Sequence, residues 1–147
     1  MTTMSLLILQ GPGIPPEGLP PVLPSRCAGH GIGRVSCEDV EAMAAALRAV
    51  PASDAALVLI EPGELQVPRS AIPSLRRTFD ALPVPYIELH ADGGAELEAW
   101  LHPQHGPMAV VVTPHDRARG YAMSLGIAAR RLASIEDAEG ADRSCPS

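Results

Sequence analysis

Two short apolar runs, separated by about the length of one helix, constrain what this chain can fold into. The first run, 56–60, stops at Glu61-Pro62-Gly63, and the second, Val84–His90, ends at a histidine. Apolar runs of this length are typical of strands that are buried on both faces of a parallel sheet. In such a sheet the carboxyl ends of the strands share one edge, where small molecules bind. Glu61 and His90 are therefore predicted to lie at the same edge.

The rest of the chain repeats this alternation of strand and helix. Residues 5–9 and 108–112 are further apolar runs of strand length. Apolar residues recur at helical spacing in 40–50, 72–82 and 121–132. Strands that alternate with helices predict an α/β fold with a flavodoxin-like, doubly wound parallel sheet in a three-layer α/β/α arrangement.

The domain organisation follows from length and from proline. A chain of 147 residues is long enough for one domain with its own core, and we predict a single domain over 1–133. Prolines crowd the segment 14–33, which predicts a loop or lid there, with a second strand at 32–36. Residues 134–147 are rich in Glu, Asp, Gly and Ser, which predicts a disordered tail.

Composition excludes several classes of function. The formal net charge is −6, which argues against nucleic acid and anionic membranes as partners, since both attract basic patches. All the basic residues are Arg, so no lysine is present to form a Schiff base. The segment 11–13 is too short and proline-rich for a dinucleotide-binding loop, and no cofactor is predicted. Without a recognisable signal peptide or membrane span, the protein is expected in the cytoplasm.

Four segments carry a resemblance to a known family: Gln10-Gly11-Pro12-Gly13, Glu61-Pro62-Gly63, Val84–His90 and Gly120-Tyr121. With these segments the chain resembles the type II 3-dehydroquinate dehydratases, whose matching segments read Asn-Gly-Pro-Asn, Asn-Pro-Gly, Ile-Pro-Val-Val-Glu-Val-His and Gly-Tyr. The likeness covers most of residues 5–132. It implies a flavodoxin-like fold, a small-molecule ligand, and a homo-oligomer that is a trimer or a dodecamer of four trimers.

The departures from this family concern its catalytic residues. The lid of the family bears a catalytic Arg and a Tyr that acts as base, and residues 14–24 contain neither. The Asn that helps to stabilise the enolate aligns with Glu61, and a second Asn aligns with Gly13. The general acid of the family is retained as His90, two residues after Glu88. We therefore predict a divergent member that lacks most of the catalytic residues and dehydrates 3-dehydroquinate poorly.

His90, Glu61 and Glu88 are the predicted catalytic residues. The resemblance makes His90 the acid, and Glu88 can orient it because side-chain direction in a strand repeats every two residues. Since the Tyr is absent, Glu61 is the candidate base. Two plainer interpretations stay open, in which His90 only caps a strand end and Glu61 is a solvated turn residue. The residues predicted to contact substrate are Gly13, Gly63, Glu64, Arg69, Ala91, Asp92 and Trp100.

Three functions fit these residues. The first is a repurposed small-molecule enzyme, a lyase, isomerase or cyclase of specialised metabolism that works by acid–base chemistry. The second is a noncatalytic protein that binds a metabolite or a partner through the old pocket, and the third is an authentic dehydratase with a rebuilt lid. His90 with His102 and His105 does not predict a metal site, because Pro103 indicates a loop with loose spacing between the ligands.

Overall fold

The computed structural model describes residues 4–13, 26–27, 30–53, 55–90, 106–113 and 116–143. Within these ranges, six strands form one sheet: β1 (Met4–Gln10), β2 (Arg26–Cys27), β3 (His30–Ser36), β4 (Leu57–Glu61), β5 (Tyr86–His90) and β6 (Ala109–Val112). The helices are α1 (Val40–Arg48), α2 (Ile72–Asp80) and α3 (Arg117–Arg143), and two short 3-10 turns cover Val50–Ala52 and Arg69–Ala71.

The strand order is β2-β3-β1-β4-β5-β6. Five of these strands pair in parallel, in the order β3, β1, β4, β5 and β6. The short strand β2 pairs antiparallel with β3 at the edge of the sheet. Without β2 this is the flavodoxin-like order, in which the second strand lies outside the first and the others follow on its opposite side. The predicted fold class is confirmed.

The sheet has a helix layer on each face. One core lies under α1 and α2 and includes Leu7, Leu9, Met43, Leu47, Val58, Ile60, Leu75, Phe79 and Tyr86. The other lies under α3 and includes Leu6, Ile8, Leu57, Leu59, Ile87, Leu89, Val111, Tyr121, Ala128 and Leu132. Successive residues of β1, β4 and β5 contribute to opposite cores, as the period of two in a strand requires.

Helix α3 packs very closely against the sheet at its first turn. A Cβ atom added to Gly120 would lie 2.5 Å from Thr113 Oγ1 and 2.7 Å from Leu89 Cδ1, so only glycine permits this approach. The backbone N–H of Arg119 donates to Asp116 Oδ1 at 3.0 Å, which satisfies one of the free amides at the start of the helix. These contacts fix the position of the first turn of α3 relative to β5 and β6.

Two predicted segments differ from the structure. The proline-rich loop predicted over 14–33 includes residues 26–27 and 30–33, which instead belong to β2 and β3. No proline follows Pro24 until Pro51, so the backbone amides are free for β3 to pair with β1 and for β2 to pair with β3. The rest of the 14–33 segment lies outside the described residues. The tail is expected from 134, yet α3 continues to Arg143, over a proline-free stretch that contains helix-forming Ala and Glu.

No helix in the part of the chain that the structure describes is both long enough and apolar enough to cross a membrane.

Candidate functional site

The carboxyl ends of β1, β4 and β5 bring polar side chains together at one edge of the sheet. Gln10 ends β1 and lies beside Glu61, the last residue of β4. Strand β5 pairs in parallel with β4, and Ile60 lies beside Glu88. Strand β5 therefore ends with His90 at the same edge as Glu61. All of these polar residues are at most 5% exposed. The expected common edge for Glu61 and His90 is therefore present.

The two residues nevertheless point to opposite faces of the sheet. Glu61 follows Leu59 at a spacing of two, and its carboxylate contacts α3. His90 follows Tyr86 and Glu88 at the same spacing, on the face that α1 and α2 cover. Strand periodicity therefore separates Glu61 from His90, although their strands are neighbours. The structure brings His90 together with Glu88 instead.

His90 and Glu88 form a buried pair at the end of β5. His90 Nε2 lies 2.9 Å from Glu88 Oε1, and the two side chains are 4% and 1% exposed. In the tautomer in which Nε2 carries a proton, Nε2 donates to Oε1, since an ionised carboxylate can only accept a hydrogen bond. Nδ1 is then the ring nitrogen that can exchange a proton with a ligand. The contact places the Glu88 carboxylate where it can orient the His90 ring.

Glu61 forms an ion pair with Arg117, the first residue of α3. Arg117 Nε donates to Glu61 Oε2 at 2.9 Å, and Arg117 Nη2 donates to Glu61 Oε1 at 3.1 Å. This is the fork arrangement in which a guanidinium matches both oxygens of a carboxylate. The Glu61 side chain is 4% exposed and that of Arg117 is 18% exposed. Glu61 is thus a buried, paired carboxylate and not a solvated turn residue.

Tyr121 and Gln10 complete a buried polar network around Glu61. The Tyr121 hydroxyl donates to Glu61 Oε1 at 2.5 Å, and Gln10 Nε2 donates to the Tyr121 oxygen at 2.9 Å. The guanidinium of Arg117 also lies 5.4 Å from the centre of the Tyr121 ring. Burial, and then the Glu61 carboxylate, raise the pKa of the Tyr121 phenol well above its usual range. Tyr121 is therefore a hydrogen-bond donor and not a base.

The raised pKa of Tyr121 makes its contribution to stability depend on pH. The contribution is complete below the pKa of an unfolded tyrosine, about 10, and is lost as the pH rises toward the higher folded pKa. We expect the difference in unfolding free energy between wild type and Tyr121→Phe to fall by about 1.4 kcal/mol per pH unit above about pH 10. Urea denaturation of both proteins on both sides of this pH measures it. A difference that does not change with pH would contradict the network.

The turns that follow β1 and β4 are tied together. Gly11 N donates to Glu61 O at 2.8 Å, and Glu64 N donates to Pro12 O at 2.9 Å. A Cβ on Gly11 would overlap the carbonyl oxygen of Pro62, so the two turns meet without room for a side chain. Gly13 and Gly63 have φ of 81° and 59°, which favours glycine at both positions.

The other residues predicted to contact substrate are distributed as follows. Glu64 and Arg69 are exposed, and Arg69 begins the 3-10 turn that leads into α2. Arg69 therefore lies on the connection between β4 and α2, one of the two helices that cover the face of His90. Ala91, Asp92 and Trp100 lie outside the described residues. Among the side chains that the structure describes, no group of three His, Cys, Asp or Glu could hold a metal ion.

Arg117 and the role of Tyr121 were missed by the sequence analysis. The sequence pattern places Tyr121 at the start of an apolar helical repeat, and Gln10 and Tyr121 also fall in segments that resemble the family. The available signal was the spacing of Arg117 and Tyr121, which places both on one face of the helix, one turn apart. That spacing does not identify Glu61 as their partner, which is 56 positions away from Arg117.

Comparison with known proteins concerns the fold. No family model matches the sequence, and no curated protein matches it. A solved structure of a 3-dehydroquinate dehydratase-like protein from Bifidobacterium longum superimposes with a TM-score of 0.59 at 16% identity, covering 90% of this chain and 98% of that chain. The fold is dehydroquinase-like. The expectation of fold drawn from the resemblance is thus confirmed, and the site has to be judged from this chain's own residues.

Proposed function

We propose that this dehydroquinase-like chain is a cofactor-independent enzyme that moves protons on carbon next to a carbonyl group. His90 is its acid–base group and Glu88 is the residue that positions His90. The reaction class is lyase, isomerase or cyclase chemistry on a small molecule. Efficient dehydration of 3-dehydroquinate is not part of this function.

The buried His90–Glu88 pair carries the proposal. Its Nε2–Oε1 contact of 2.9 Å holds the imidazole in one orientation at the carboxyl edge of the sheet. In one step Nδ1 takes a proton from the carbon next to the carbonyl, and Glu88 stabilises the positive charge that His90 then carries. In the next step the same nitrogen returns a proton to the substrate or to the leaving hydroxyl. One histidine can therefore serve as base and then as acid.

Glu61 is not the base in this proposal but a paired carboxylate that holds Arg117 and Tyr121. Both of its oxygens already accept hydrogen bonds from Arg117, and Oε1 also accepts one from Tyr121. Taking up a proton would weaken an ion pair that is almost completely buried, which opposes its use as a base. Its position on the α3 face, opposite to His90, supports the same assignment.

The substrate-binding roles of Gly13, Gly63, Glu64 and Arg69 remain part of this proposal, as do those of Ala91, Asp92 and Trp100. Gly13 and Gly63 would let the two turns approach a ligand closely. Arg69 would offer a charge at the entrance to α2, on the face that carries His90. A homo-oligomer, a trimer or a dodecamer, is the assembly that the resemblance implies.

Exchange of substrate protons for solvent deuterium tests the proposal at its first step, the removal of a proton from carbon next to the carbonyl. The protein is incubated in D₂O with uncharged cyclic ketones and enones and with 3-dehydroquinate, and proton NMR follows loss of the signals next to the carbonyl. We expect exchange in at least one uncharged compound and none in 3-dehydroquinate, whose conjugated product should also be absent by ultraviolet absorbance. Lack of exchange throughout the panel, or efficient turnover of 3-dehydroquinate, would contradict the proposal.

A noncatalytic binding protein is the second candidate, and one observation favours it. A hydrogen-bonded network occupies the carboxyl ends of β1 and β4, and it consists of Gln10, Glu61, Arg117 and Tyr121. The strand order reverses between β1 and β4, and this position is the usual ligand site in an open α/β sheet. Polar groups that are engaged in this way are less available for catalysis. Saturable binding of a compound without any proton exchange would support this alternative.

A further inference from the structure

The Glu61 carboxylate lies in a complete set of carboxylate-binding groups. Arg117 contributes a two-point contact at 2.9 and 3.1 Å, and the Tyr121 hydroxyl contributes a third hydrogen bond at 2.5 Å. This is the way in which proteins recognise the carboxylate of a ligand, with a planar fork and a neutral donor. Here the carboxylate belongs to the chain itself.

The binding groups are held in place by elements other than β4. Arg117 and Tyr121 lie one turn apart on α3, whose first turn is fixed by the close contact of Gly120 with Thr113 and Leu89. Gln10, at the end of β1, donates to the Tyr121 oxygen and so directs the phenol proton toward Glu61. Loss of the Glu61 carboxylate would therefore leave these groups in position around a space of its shape.

We propose that Gln10, Arg117 and Tyr121 form a carboxylate receptor whose occupant is Glu61, and that the small molecule bound at this edge is an uncharged carbonyl compound that Arg117 does not anchor. The first half follows from the network alone, whereas the second half rests on the proposed function. Because the guanidinium of Arg117 already makes a two-point contact with Glu61, a substrate carboxylate would have to displace Glu61 to bind it.

Acetate tests the receptor, because it reproduces the atoms of the glutamate side chain beyond Cβ. Glu61→Ala should gain about 3–6 °C in thermal midpoint when acetate is roughly tenfold above its Kd, with a saturable dependence on concentration. Chloride at equal ionic strength and uncharged acetamide should give a much smaller rise. The exposed helix residue Glu41 supplies a matched variant, Glu41→Ala, which should not respond specifically to acetate.

Two further arms decide the inference. The double variant Glu61→Ala, Arg117→Leu should lose the saturable response, and in wild type the NMR signal of the Arg117 Nε–H should not move with acetate. The proposal is overturned if Glu61→Ala gives no saturable rise, if it stays unfolded at every acetate concentration, or if acetate displaces Glu61 in wild type. None of these arms involves His90, so their failure is distinct from failure of the proton-exchange experiment.

Discussion

Replacing Arg117 with leucine should lower the free energy of unfolding by about 3 kcal/mol, because it leaves the buried Glu61 carboxylate without its cation. The value is at the low end for a broken buried pair, since the Arg117 side chain is partly exposed. The hydrogen bond from Tyr121 remains but cannot supply the missing charge. Urea denaturation of Arg117→Leu at neutral pH measures the loss.

Arg119 offers a matched control for this experiment. It lies in the same first turn of α3 and its side chain is exposed, so Arg119→Leu should change stability by no more than about 0.5 kcal/mol. Adding Glu61→Gln to Arg117→Leu should recover part of the loss, because the unpaired charge is then absent. A loss below about 1 kcal/mol in Arg117→Leu, or equal losses at Arg117 and Arg119, would show that this pair contributes little.

His90→Gln should slow deuterium exchange about 10²–10⁴-fold with whichever compound of the panel the wild type exchanges. Glutamine keeps a polar side chain of similar reach but cannot take up the proton. The rate of exchange, measured by proton NMR at fixed protein concentration, checks this. The exposed α1 residue Glu41 supplies a comparison, since Glu41→Gln should exchange at the wild-type rate.

The positioning role of Glu88 has a separate readout. Glu88→Gln keeps a group that can contact His90 Nε2 but removes the charge that stabilises the imidazolium. Exchange should slow by less than in His90→Gln, and the midpoint of its pH profile should move to lower pH. An unchanged pH profile would mean that Glu88 has only a structural role, and full activity of His90→Gln would exclude His90 as the acid–base group.

The strands and the common edge could be predicted because they depend on local patterns. Each apolar run is continuous, and a Pro-Gly turn or a histidine marks its end. The same continuity hides the face on which a side chain lies. Strands 57–61 and 86–90 are buried on both sides, so the sequence does not show which core each face meets and hence that Glu61 and His90 point apart. The predicted Glu61–His90 pair is therefore wrong in one respect: the two residues end neighbouring strands at the same edge of the sheet, but they lie on opposite faces.

The Glu61 network could not be predicted because its partners are distant in sequence. Glu61 and Arg117 are 56 positions apart, and Gln10 and Tyr121 are 111 apart. Only the packing of α3 across the sheet brings these residues together. The long helix was also underestimated, because the Glu- and Asp-rich composition of 134–143 resembles that of a tail as closely as that of an exposed helix.

The joined turns after β1 and β4 restrict how this edge can move. Two backbone hydrogen bonds and the contact of Gly11 with Pro62 connect the turns, so neither can swing outward alone. The ends of the two central strands therefore behave as one rigid block. Under the proposed function, a ligand would then enter and leave through displacements elsewhere along the edge.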